Sequence, residues 1–104
     1  GNLQALQGDW SPAGEETPFQ IRIFGLEWQE WQGDEQQDAF AMVVGDACGD
    51  GTVPGGGTAI SLYRLGDDPA DDGCWQVEYI DDSRMTLRDF KGDRGQVSFT
   101  RVEP

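Results

Sequence analysis

Residues Gly73–Val102 read GCWQVEYIDDSRMTLRDFKGDRGQVSFTRV. Trp75, Val77 and Tyr79 alternate with Gln76, Glu78 and Ile80. Met85 and Leu87 alternate with Thr86 and Arg88, and Val97 and Phe99 with Ser98 and Thr100. A period of two is the mark of strands with one buried face. Directly opposed residues of antiparallel strands share a face. Matching Tyr79 to Met85 and Val77 to Leu87 leaves Asp81-Asp82-Ser83 as the first turn. Matching Leu87 to Val97 and Met85 to Phe99 leaves Lys91-Gly92-Asp93 as the second. A slip of one residue would turn Met85 and Leu87 to water.

Working outward, the same pattern recurs upstream. Asn2–Gln7 reads as a single helical turn with Leu3 and Leu6 on one side, and Gly8-Asp9-Trp10 opens the first strand. Ser11–Pro18 is a surface connection. In Phe19–Phe24, Phe19, Ile21 and Ile23 oppose Gln20, Arg22 and Phe24. Leu26–Trp31 continues with Leu26 and Trp28 on the apolar side, and Gly33–Asp38 reads as a polar hairpin loop. Ala39–Val44 is apolar throughout, and the large residues Phe40, Met42 and Val44 are taken as inward. Gly45–Gly57 is a long irregular loop. Thr58–Leu65 is a strand with Ile60 and Leu62 on one face, and Gly66–Gly73 is an acidic loop before Cys74.

These segments make about eight strands joined mostly in sequence. The chain's 104 residues suit one domain, 1–104, with a modest core. The expected fold is all-β: a small eight-stranded antiparallel up-and-down barrel with a short N-terminal helical turn. Closure removes exposed edges and sets the last strand beside the first. Arg101 shares the inward face of Val97 and Phe99, where a lone charge is costly. It is therefore expected at the barrel end, stacked across Trp10 and bonded to carbonyls.

Composition narrows the function. Twenty Asp and Glu against seven Lys and Arg leave a net charge of −13. Such a surface repels nucleic acid and anionic lipid. It reads as a solvated acidic coat, with adaptation to a saline medium, or weak collection of cations or basic proteins, as the alternative. No apolar run approaches a membrane span. Cys48 and Cys74 are the two cysteines of a chain without histidine. One disulfide in an oxidising compartment suits them, two buried thiols being the alternative. The bridge would close a loop of about 25 residues and add roughly 3 kcal/mol. A mature, exported protein, periplasmic or extracellular, with its signal peptide removed, is the corresponding expectation.

Gly8-Asp9-Trp10 behind a helical turn, together with Phe99-Thr100-Arg101 on the last strand, resembles the calycin pattern of lipocalins and their small bacterial relatives. Trp75–Arg101 is similar to the C-terminal half of small bacterial lipocalin-like domains. Secreted bacterial metalloprotease inhibitors share the short barrel, the Gly-x-Trp and a single disulfide. The chain is shorter than a standard lipocalin and lacks its C-terminal helix, which argues against a large cavity. The resemblance implies a binding or inhibitory protein without a cofactor.

Catalytic chemistry finds little support. The absence of histidine excludes Ser-His and Cys-His systems. Glu30 and Glu78 form a nominal carboxylate pair, but acids are abundant here. Asp46, Asp50, Asp67, Asp68, Asp71 and Asp72 offer oxygen ligands for calcium without a recognised loop spacing. No metal site is expected. Trp28, Phe40, Met42, Trp75, Tyr79 and Met85 are expected in the barrel interior, either as packed core or as the lining of a small apolar pocket. Trp31 and Phe24 fall on the outward side and together would make an apolar patch for a partner. The leading expectation is a non-enzymatic exported binding module for a small apolar ligand or a cell-envelope partner. The alternatives are a protease inhibitor with its N-terminal segment as plug, and a structural envelope protein with a fully packed barrel.

Overall fold

Each alternating segment carries one apolar face, which a sheet can hide by closing on itself. This chain does so in the structure, a computed structural model that describes residues 2–49, 51, 57–65, 71–90 and 92–102. The elements are α1 (Asn2–Leu6), β1 (Gly8–Pro12), β2 (Phe19–Phe24), β3 (Glu27–Gln32), β4 (Glu35–Gly45), β5 (Thr58–Arg64), β6 (Asp71–Ile80), β7 (Arg84–Asp89) and β8 (Gln96–Arg101). Every strand pairs antiparallel with its neighbours in sequence, and β8 returns to β1 to close the barrel. The closing register sets Trp10 opposite Arg101 and Pro12 opposite Phe99. The expected eight-stranded up-and-down order is the observed one.

Of the four pairings expected in the last three strands, three are observed and one is corrected. Leu87 faces Val97 and Met85 faces Phe99. Val77 faces Leu87, but Tyr79 pairs with Thr86 and Ile80 with Met85. One extra residue of β6 is inserted at Glu78, and a bulge of this kind exchanges the two faces beyond it. Ile80 therefore packs against the core. Tyr79, expected inside, stands 44% exposed on the outer surface. There its ring lies under Arg84, at 5.0 Å, and its hydroxyl donates to Asp81. That bond, with the backbone N–H groups of Ser83 and Arg84, holds the Asp81 carboxyl far below the usual carboxylate range.

Other expectations move for similar reasons. Glu35–Asp38, expected in a loop, belongs to β4, and a bulge between Glu30 and Trp31 absorbs the extra residue. Leu26 is a turn residue exposed to solvent, not an inward one. Phe24 faces Glu27 while Trp31 faces Gln20, so the two rings sit at opposite ends of the β2–β3 hairpin and form no joint patch. Trp31 is instead covered by Arg22, whose guanidinium lies 4.2 Å from the ring centre.

One end of the barrel is plugged by α1. Leu6 is wholly buried, and Trp10 Nε1 donates to its carbonyl at 2.9 Å. The Arg101 guanidinium lies 4.2 Å from the Trp10 ring centre. It donates to the carbonyls of Ala5 at 3.0 Å, Gln7 at 2.5 Å and Asp82 at 2.6 Å. Carbonyls at a helix end lack intrahelical partners, and Arg101 supplies them for α1. Gly8 makes room for this. Its φ is 122°, and a Cβ there would lie 2.4 Å from Arg101 Nη1. A Gly8→Ala variant should lose about 2 kcal/mol, or roughly 10 °C of melting temperature, in a calorimetric scan.

A second, smaller core lies on the outside of the wall. Cys48 and Cys74 form a disulfide with Cα atoms 5.8 Å apart, and they bury Ala59 between them. Gly49 N donates to the buried Ser61 Oγ at 2.9 Å. The bridge fastens the start of the long loop to the outer face of β5 and β6.

Candidate functional site

The end of the barrel opposite α1 gathers unusual chemistry. Moving up each strand by steps of two from the core leads to a charged residue on the same face. Trp28 is followed by Glu30 in β3, Leu62 by Arg64 in β5 and Leu87 by Asp89 in β7, while Asp38 precedes Phe40 in β4. The pairings bring them together: Trp28 faces Phe40, Glu30 faces Asp38, Phe40 faces Arg64 and Trp75 faces Asp89.

Aromatic rings form the floor of this end. Trp28 and Trp75 stack with centroids 6.5 Å apart and planes 16° from parallel. Two arginines cover the rings: Arg64 lies 5.1 Å from the Phe40 centre and Arg94 lies 4.6 Å from the Trp75 centre. Each is itself held by an acid, Arg64 by Asp38 and Arg94 by Asp89, the latter at 3.2 Å. Asp89 also accepts the Gly92 N–H at 2.8 Å. Cation–ring stacking and ion pairing thus seal the upper end, and Trp28, Phe40 and Trp75 are all buried beneath it.

Glu30 is the poorly compensated member. Among the described residues it accepts one bond, from Trp28 Nε1 at 3.3 Å. Burial pushes its carboxyl pKa above the ordinary value, the Trp28 bond lowers it, the Asp38 charge raises it further, and Arg94 and Arg64 lower it. The folded state therefore binds this proton more tightly than the unfolded chain does. The contribution to stability is complete below the ordinary value of 4.5 and is lost as pH rises through the raised folded value. Glu30→Gln should accordingly melt higher than the parent at pH 7, and the difference should disappear below pH 4.5. Paired thermal scans across that range check it.

The expected interior residues separate into three groups. Trp28, Phe40 and Trp75 meet under the upper seal, and Met42 and Met85 lie in the buried core. Tyr79 is outside, as described. No cavity opens among the described residues, whose side chains fill the interior. Glu78 does not join Glu30: it lies on the outer surface, bonded to Arg88 at 2.9 Å and to Gln96 at 2.7 Å, which lowers its pKa. Of the calcium candidates, Asp50, Asp67 and Asp68 lie outside the described residues, as do the side chains of Asp71 and Asp72. Among the described residues no cluster of acids, Cys or His has the form of a metal site.

Arg64, Arg94, Asp38 and Asp89 were not singled out from the sequence. A signal for three of them was present: each lies two residues from an inward apolar residue of its strand, beyond the end of the apolar run. Comparison with known proteins adds no identity, since no family model, curated protein or solved structure matches the chain.

Proposed function

We propose that the chain is a non-enzymatic, lipocalin-like binding module that meets a cell-envelope or extracellular protein with its outer surface. The filled interior carries this reading, because a small apolar ligand inside would have to displace core side chains. The Arg64 and Arg94 seal over the upper end supports it too. The disulfide is compatible with an oxidising, exported location. The kinship to lipocalins rests on the Gly8-Asp9-Trp10 and Arg101 pattern and on the closed barrel. An inhibitor would need Leu3–Leu6 as a free plug, whereas Leu6 is committed to the core. Native mass spectrometry of the protein from its own extracts tests the reading. A discrete protein complex without bound lipid is expected, and a retained lipid or a small apolar molecule would overturn it.

A further inference from the structure

The most exposed apolar side chains of the fold lie beside α1, while Leu65 and Phe90 are at the far end and Tyr79 is on the outer wall. Phe24 is 85% exposed, Leu26 58%, Val43 56% and Leu3 37%. Phe24 and Leu26 flank Gly25 at the β2–β3 turn. Met42 N donates to the Leu26 carbonyl at 2.8 Å, which sets this turn against β4 next to Val43. Apolar residues grouped at such exposure are the usual mark of a contact surface.

The turn is also held rigidly. Gln7 Nε2 donates to the carbonyls of Leu3 and Gly25, each at 3.0 Å, and Gln7 Oε1 accepts the Gly25 N–H at 2.6 Å. One side chain thereby clamps α1 to the tip that displays Phe24 and Leu26. A clamp of this kind lowers the ordering cost of binding.

Charge selects the partner. Asp9, Glu27, Asp46, Asp81 and Asp82 lie at this end of the barrel, on β1, β3, the segment after β4 and the β6–β7 turn. Arg22, Arg84 and Arg101 lie at or near this end too, but their guanidiniums rest on the rings of Trp31, Tyr79 and Trp10, and acids still outnumber them. Among the described residues none of these five acids forms a salt bridge; the ion pairs are Arg64–Asp38, Arg88–Glu78 and Arg94–Asp89. A second copy of a chain of net charge −13 would be repelled. We propose that Phe24, Leu26, Val43 and Leu3 form a docking surface for a basic protein whose contact patch is apolar with Lys or Arg at its rim. This rests on the binding-module reading and names its surface.

The probe is a short Leu/Lys amphipathic helix, titrated into the isotope-labelled chain. Amide shifts are expected at Leu3–Gln7, Phe24–Glu27 and residues 41–45. The Phe24→Ser/Leu26→Ser variant should bind at least about tenfold more weakly with an unchanged melting temperature, because both side chains are already in water. Raising the salt from about 0.05 to about 0.5 M should weaken binding several-fold, and a Leu/Glu helix should not bind. Shifts elsewhere, indifference to the double substitution, or no binding would overturn this surface. Dimerisation through the tip, or attachment to neutral phosphatidylcholine vesicles through it, would overturn the choice of partner. Peptide binding at another face leaves the binding-module reading standing, whereas lipid retained in native mass spectrometry removes that reading whatever the tip does.

Discussion

Arg101→Ala should destabilise the barrel by about 3 kcal/mol, a large part of the stability of a domain of this size. The guanidinium ties three chain segments together: α1 through Ala5 and Gln7, the β6–β7 turn through Asp82, and β1 through the Trp10 ring. Removing it leaves carbonyls at the end of α1 without their donor and uncovers Trp10, which is fully buried. Bonds from a charged donor are worth about 1.5–3 kcal/mol each, but they share one group and will not add. Arg101→Lys should recover only part of the loss, since one ammonium does not reproduce a planar fork across two segments. Urea unfolding monitored by tryptophan fluorescence reads the effect as a lower midpoint with an unchanged slope. Full stability in Arg101→Ala would mean that the barrel closes without this tie.

The second large effect concerns the disulfide. A Cys48→Ala/Cys74→Ala variant should lose about 3 kcal/mol, from the loop-closure entropy of a bridge with a sequence separation of 26. The loss should begin locally. Ala59 is wholly buried beside the bridge, and Gly49 is held on Ser61 Oγ. Without the bridge, hydrogen exchange at the Gly49 amide should quicken before the strand amides do. The same comparison under reducing conditions checks that the substitutions themselves are not responsible. A loss below about 1 kcal/mol would mean that the Gly49–Ser61 bond holds the loop without the bridge. The disulfide and Arg101 share no partner, so the two losses should add within a few tenths of a kcal/mol.

The fold was more legible than the site. Alternation in β2, β7 and β8 carried straight through to inner and outer faces, because an uninterrupted strand keeps its period. In β5 the pattern was hidden, because the disulfide-bound segment also buries Ala59 and Ser61 on its outer side. Bulges broke the reading elsewhere. Glu78 inserts in β6 and moves Tyr79 out and Ile80 in, and neither residue type announces that exchange. The upper end was missed for a different reason. Glu30, Asp38, Arg64 and Asp89 continue the inward pattern, yet as single residues each resembles ordinary surface charge. Only their meeting across four strands identifies them as one cluster. Trp31 shows the reverse: its outward side was legible, but the cover supplied by Arg22 was not.

The closed antiparallel barrel, the face of most strands and the Trp10–Arg101 junction were thus legible in the sequence, and the disulfide was its preferred reading over two buried thiols. These follow from local periodicity, from the number of cysteines and from the need to leave no sheet edge open. The tertiary structure alone decided that the interior is filled, that two arginines seal one end, and that the apolar side chains of Phe24 and Leu26 stay in water at the other. Those outcomes depend on side-chain volumes and charges meeting across strands distant in sequence, and a periodic pattern carries no record of that.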